Sequence, residues 1–483
     1  MAGIIGVLIS LGLLMYLAYR GISVLILAPL MAVLAALFER GAPVLASFTQ
    51  VFMTAAGDFI ALYFPLFLLG AIFGKLMDDS GSAQSIARWT IRKFGRERAI
   101  LAVVLSCAVL TYGGVSLFVV AFAIYPIAAA LFRENGIPKR LIPGTIALGA
   151  FTFTMTALPG TPAIQNAIPM PFFGTTPFAA PVLGIITAAI MFSLGMLWLN
   201  RRYRSAMARQ EGYGDHADNR PRADRMDREH AEGQGFDIAE LNEKPTPRQV
   251  PGFATALAPI VLVIALNYLF SMLIIPAMDS GYLATPQYGE TDASSVRGIW
   301  AIISALVISI LAIWILNRRR FTALLETIDA GANASVLPIF NTASLVGFGA
   351  VIASLGAFQI IQSGMTGIGG ANPLVSLAVS VNILAGITGS ASGGMSIALQ
   401  TLGSDYVHMA AEAGVSMDLM HRVTTVATGG LDSLPHNGAI ITLLSICRLT
   451  HREAYKDILV VAVLGPLFAL IVLIALGTLF ESP

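Results

Sequence analysis

Thr388-Gly-Ser-Ala-Ser-Gly-Gly394 and Gly429-Gly-Leu-Asp-Ser-Leu-Pro-His-Asn-Gly438 are glycine- and hydroxyl-rich interruptions of otherwise apolar sequence. A helix broken at membrane depth exposes N–H and C=O groups to hydrocarbon, which offers them no partner. Such a break persists only where it is buried in protein or lines a cavity, and there the freed dipoles can hold an ion. Two matching breaks lie in the first half, at Thr111-Tyr-Gly-Gly-Val-Ser116 and Leu158-Pro-Gly-Thr-Pro-Ala-Ile-Gln-Asn166. Four polar breaks in two pairs predict a transporter.

Composition supports this. Of 483 residues, 56% are hydrophobic and only 12% charged, about half the charge of soluble domains; mean hydropathy is +0.76. Twenty of the 57 charged residues fall between Arg201 and Val250, leaving the rest poorer still. The net charge of +1 gives no reason to expect a nucleic-acid partner. Cys107 and Cys447 sit in apolar segments and read as packing residues.

Windows of about 20 apolar residues mark the spans, and Lys/Arg in short loops orient them. The first half, 1–200, holds five spans and a re-entrant hairpin at 98–132, whose tip is Tyr112-Gly-Gly114. Its fourth span, 141–168, is broken at Pro159–Asn166. An amphipathic stretch, Ser82–Phe94, continues into Arg96 and Arg98. A polar linker over 201–251 follows, read as cytoplasmic and disordered. The second half, 252–483, repeats the plan with opposite orientation: five spans, a hairpin at 373–402, and a broken helix at 421–449. The predicted fold is therefore an all-α polytopic membrane protein of two inverted repeats, with the site where the repeats meet.

Leu158-Pro-Gly-Thr-Pro-Ala-Ile-Gln-Asn-Ala-Ile168, the Thr388–Gly394 tip and Leu434-Pro-His-Asn-Gly-Ala-Ile-Ile-Thr-Leu-Leu444 resemble the gluconate:proton symporter family within the ion-transporter superfamily. The resemblance covers nearly the whole chain outside Arg201–Val250. It implies a homodimeric, elevator-type permease of the bacterial inner membrane that takes up a small organic anion with a proton. Gly438 stands where the family pattern suggests an acidic residue. That departure favours a shorter hydroxy or keto acid such as 3-hydroxybutyrate over gluconate.

Candidate substrate-binding residues are the polar and glycine positions of the breaks. In the first half these are Thr111, Gly113, Gly114, Ser116, Gly160, Thr161, Gln165 and Asn166. In the second half they are Thr388, Ser390, Ser392, Gly393 and Asn437. Backbone N–H groups at half-helix N-termini hold anions, and glycine lets the backbone approach a ligand. For any one glycine, helix packing is the simpler reading; four breaks in inverted pairs favour a site. Asp432 and His436 are candidates for the coupled proton, since an ionisable group at this depth needs a reason and histidine titrates near working pH. A structural hydrogen bond to freed backbone is the alternative for both. Asn341, Thr342 and Ser344 could line the route, with packing the simpler role; Lys75 reads as snorkelling to the cytoplasmic face, and His408, His421 and His451 as members of flanking loops.

No His/Cys/Asp/Glu spacing resembles a metal site, and no P-loop or other cofactor sequence is present. Two rivals stand beside proton-coupled uptake. The same fold can couple to Na⁺, because breaks rich in carbonyls and hydroxyls hold that ion. A membrane-embedded hydrolase using Ser433 and His436 is the other, although it leaves the duplication unexplained.

Overall fold

The computed structural model describes residues 2–20, 22–94, 98–215, 250–368, 370 and 372–480. Arg96 and linker residues 216–249 lie outside them. Among the described residues every regular element is helical. Six helices are long and apolar enough to cross a membrane: Val44–Asp79, Pro181–Ala208, Phe253–Ala277, Ala293–Asn317, Leu324–Ser354 and His451–Phe480. Val44–Asp79, at 36 residues, spans about 54 Å at 1.5 Å per residue. That exceeds a hydrocarbon core of about 30 Å and requires tilt or protrusion.

The order of elements in 2–208 recurs in 253–480. In the first half, Ala2–Tyr19 and Val24–Phe38 precede the long Val44–Asp79 helix and the short Ser82–Phe94 helix. The hairpin Ala99–Tyr112/Leu117–Glu134, an interrupted helix from Leu141 to Ala167, and Pro181–Ala208 follow. In the second half, Phe253–Ala277 and Ala293–Asn317 precede Leu324–Ser354 and Phe358–Thr366. The hairpin Pro373–Thr388/Ala391–Ala413, the interrupted helix from Met417 to Ile446, and His451–Phe480 complete it.

Three boundaries differ from the sequence expectation. The second hairpin is broken only at Gly389 and Ser390, and its return arm runs on to Ala413, so Asp405 and Glu412 are helical. The apolar sequence predicts a span over Ser335–Ile361, but the helix is Leu324–Ser354, beginning eleven residues earlier and stopping short of Ile361. The linker also starts later than Arg201, because Pro181–Ala208 carries through the first basic residues. Beyond it, Tyr213 O accepts from the Lys139 N–H. Glu211 receives two hydrogen bonds from Arg140, at 2.6 and 2.8 Å, which hold its carboxyl below the usual range.

The two long helices pack against each other through glycines. A Cβ on Gly331 would lie 2.8 Å from Ile72 Cα, and one on Gly347 would lie 2.8 Å from Phe52 O. Rising numbers on one helix meet falling numbers on the other, so the pair runs antiparallel. Lys75, on this pair, does not snorkel: it is buried and sits 3.4 Å from Asp79, which also accepts from Thr327 Oγ1 at 2.7 Å. Cys107 and Cys447 are buried and free.

Gly331→Leu should lower the stability of the detergent-solubilised protein by about 1–3 kcal/mol, the usual cost of overpacking. Gly364, which has open space where a Cβ would stand, should tolerate Gly364→Ala. Thermal melts that ranked the two variants alike would remove the close crossing as a constraint.

Candidate functional site

At the first break, the chain leaves helix at Thr156 and resumes it at Ile164. Several of the carbonyls freed between them find side-chain donors. Thr156 O accepts from Thr425 Oγ1 at 2.8 Å and from Arg422 at 3.1 Å. Pro159 O accepts from the Tyr112 hydroxyl at 2.6 Å, which ties the break to the tip of the first hairpin. Gly160 O accepts from Asn267 at 3.2 Å. Asn166 Nδ2 donates to Thr161 O and Pro177 O at 3.0 and 2.9 Å.

The second break runs from Gly429 to Asn437 and is built differently. Its donors reach sideways to the second hairpin: Asn437 Nδ2 donates to Gly389 O at 2.6 Å, and His436 Nε2 to Gly386 O at 2.9 Å. Because a carbonyl only accepts, Nε2 of His436 carries the hydrogen. Asn437 Oδ1 caps the helix that follows, accepting from Ala439 and Ile440 N–H. Gly389 takes φ +62° and a Cβ there would press on the His436 ring at 3.3 Å, so glycine is required twice over.

Both breaks and the second hairpin tip meet at one cavity of about 170 Å³. Six of the expected residues line it: Gln165, Thr388, Ser390, Ser392, Asp432 and Asn437. Ser390 Oγ caps the return arm by accepting from Gly393 N–H at 3.1 Å. Of the first four N–H groups of that arm, those of Ala391 and Ser392 therefore remain for a ligand. Ser433 Oγ donates to Asp432 at 3.1 Å.

The other expected residues lie off this cavity. Gly113 and Gly114 press against Ile260 and Pro162; Thr111 and Ser116 share that packed tip, and only the next residue, Leu117, reaches the cavity. Gly160 lies against the Phe178 ring, while Thr161 and Asn166 hold the first break's own turn. Gly393 packs on Leu345. His436 supports the second hairpin, and it does not share a helical face with Asp432, because Leu434 to Asn437 is not helical.

Sequence reasoning ranked two contributors low and missed two more. Asn341 and Thr342 line the cavity rather than merely packing. Arg422 is fully buried and directs its guanidinium into the first break, bonding Thr156 O, Pro177 O, Ala179 O and Asn166 Oδ1 at 2.8–3.4 Å. His421 is not in a flanking loop but fully buried in Met417–Thr428, between Thr175 Oγ1 at 2.6 Å and Asn166 Oδ1 at 3.1 Å. An adjacent His-Arg pair in an apolar helix was the available signal. Among the described residues no cluster of three or more His, Cys, Asp or Glu is placed to hold a metal.

The model of the GntP permease family matches residues 2–476. This chain belongs to the GntP permease family. It is a permease, not an enzyme, and an integral multi-pass protein of the bacterial plasma membrane. The uncharacterized transporter YxjC of Bacillus subtilis (strain 168) is 45% identical over 97% of this chain and 98% of its own. A gluconate permease of Bacillus licheniformis is 36% identical over 107 residues, covering 21% and 23% of the two chains. In fold, the permease is similar to the YdaH transporter of Alcanivorax borkumensis, at TM-score 0.56 and 15% identity over 89% and 88% of the chains. MtrF of Neisseria gonorrhoeae follows at TM-score 0.51 and 13% identity, over 90% and 85%.

Arg422→Ala should destabilise the permease by at least about 2 kcal/mol, since a buried carbonyl left dry costs ~1–3 kcal/mol and Ala179 O would lose both its donors. Arg422→Lys should recover only part, because one ammonium cannot reproduce the planar fork. A melting temperature unchanged in Arg422→Ala would show that the first break does not depend on this side chain.

Proposed function

We propose that this permease takes up a small hydroxy monocarboxylate, such as 3-hydroxybutyrate or gluconate, together with a proton. The observation that carries the reading is the convergence of two helix N-termini, at Ala391 and Gly438, on a cavity that also holds Asp432. Helix N-termini attract negative charge. Among the described residues no Lys or Arg lines this cavity, so backbone dipoles and hydroxyls carry the recognition. Its volume is small beside the roughly 300–1,000 Å³ of pockets for drug-sized ligands, which suits a short acid.

Asp432 supplies the coupling. Two carboxylates in one enclosed site repel unless one of them takes a proton. Anion binding and proton binding therefore favour each other, and that mutual dependence is what symport requires. This assigns the proton to Asp432, while His436 seats the hairpin through Gly386. The repeated order of elements and the antiparallel long helices support two inverted repeats. Hydrogen bonds from Tyr112, His436 and Asn437 bind each hairpin tip to a break, which supports hairpins and broken helices travelling as one body in an elevator-type movement.

Proteoliposomes given separate pH and sodium gradients test the coupling. The wild-type protein should concentrate the acid under an inward proton gradient and not under sodium alone; sodium-driven accumulation would overturn the proton assignment. Asp432→Asn should keep counterflow exchange within a few-fold but lose pH-driven accumulation by tenfold or more. Full pH-driven accumulation in that variant would move the proton elsewhere.

A further inference from the structure

Asn341 stands apart among the polar side chains of the cavity because both of its hydrogen-bonding atoms are buried without a partner. It lies on Leu324–Ser354, one turn beyond Pro338, and is 5% exposed. Neither its Oδ1 nor its Nδ2 has a partner. Its neighbour Thr342 is satisfied locally by Pro338 O at 3.0 Å, and Asn437 makes three bonds. Buried amides are partnered in the great majority of cases, so one that is not asks for an explanation. Helix packing supplies none here, because an apolar side chain of the same size would fill the place without two dry polar atoms.

Asn341 lies one turn before Leu345, which rests against Gly393 of the second hairpin, so the two share the helix face turned to that hairpin. The Ala391 and Ser392 N–H groups offer a carboxylate only donors. Asn341 offers a donor and an acceptor together. A keto oxygen or a second carboxylate accepts only, and would leave Oδ1 dry. An unsubstituted chain would leave both atoms dry. An ammonium group donates only, and would leave Nδ2 dry. A hydroxyl donates to Oδ1 and accepts from Nδ2.

We infer that Asn341 is the specificity-determining residue of the permease and that it reads a hydroxyl group on the carbon chain of the bound acid. This rests on the carboxylate site proposed above and adds the rule by which that site tells hydroxy acids from their deoxy, keto and amino counterparts. A site built to bond a hydroxyl rejects the analogue lacking it because its own buried groups are then unpaired.

The test measures binding of matched acids to the purified wild-type permease in detergent: 3-hydroxybutyrate against butyrate, acetoacetate and 3-aminobutyrate, and gluconate against hexanoate. In at least one pair the hydroxy acid should bind roughly tenfold to a hundredfold more tightly than its deoxy partner, the range expected for an unmade buried hydrogen bond. Asn341→Leu and Asn341→Ala should bring that ratio towards one, mainly by weakening the hydroxy acid, with the deoxy acid held within a few-fold. Equal wild-type affinities within both pairs, tighter binding of acetoacetate or 3-aminobutyrate, or an undiminished ratio in both variants would overturn the inference and leave the carboxylate site standing. Binding of none of these acids would overturn the carboxylate site and this inference with it. The wild-type ratio needs no variant to fold.

Discussion

Backbone groups released inside a membrane must be partnered within the protein, and the architecture of this permease follows from how it meets that demand. At the first break, side chains of the second half do much of the partnering. Arg422 and Thr425 come from Met417–Thr428, and Asn267 from Phe253–Ala277. At the second break the partners come largely from its own half, through the hairpin tip at Gly386 and Gly389. Neither break is stable alone in hydrocarbon. Each is therefore a reason for the elements around it to stay together, and the cavity lies where they do.

Arginine is the natural residue for the first of these tasks. Its five donors lie in a plane and match several carbonyls at once. Here they are all directed at backbone and amide oxygens, so the guanidinium is used up in structure and does not reach the cavity. This explains how a site for an anion can stand close to a buried arginine without employing it. The helix ends at the cavity are then what remains to meet an anion's charge.

The broad plan was legible because it rests on local signals. Apolar runs marked the six span-length helices, Gly113-Gly114 and Gly389 marked the hairpin turns, and proline and glycine at 158–160 and 429–435 marked the breaks. Six of the twenty residues lining the cavity were legible, four of them for the same reason: Thr388, Ser390, Ser392 and Asn437 are turn and cap residues beside those signals. What was hidden depends on packing between distant segments. The first hairpin tip carries the same kinds of residue as the second, yet Ile260 and Pro162 close over it. Asn341 has no local mark, because an asparagine within a long glycine- and alanine-rich helix reads as an interface residue until the opposite wall is known. Arg422 and His421 were hidden by their position next to a helix start, where charged residues usually reach water.

The two halves, alike in plan, contribute unlike chemistry to the cavity. The second half supplies Thr388, Ser390, Ser392, Asp432, Ser433 and Asn437, together with Asn341 and Thr342. The first half supplies Val24, Phe67, Leu117, Phe151, Met155 and Ile164, relieved only by Gln165. Any occupant thus meets one almost wholly apolar wall and one that sets its polar groups among Pro338, Leu345, Ala391 and Ala439. A rigid dianion with charge at both ends would press one end against hydrocarbon side chains, at the cost of burying an unpaired charge. An acid with its carboxylate and hydroxyl on one side and carbon on the other meets both walls on their own terms. The breaking of symmetry, as much as the pairing of the halves, therefore sets which anion this permease can carry.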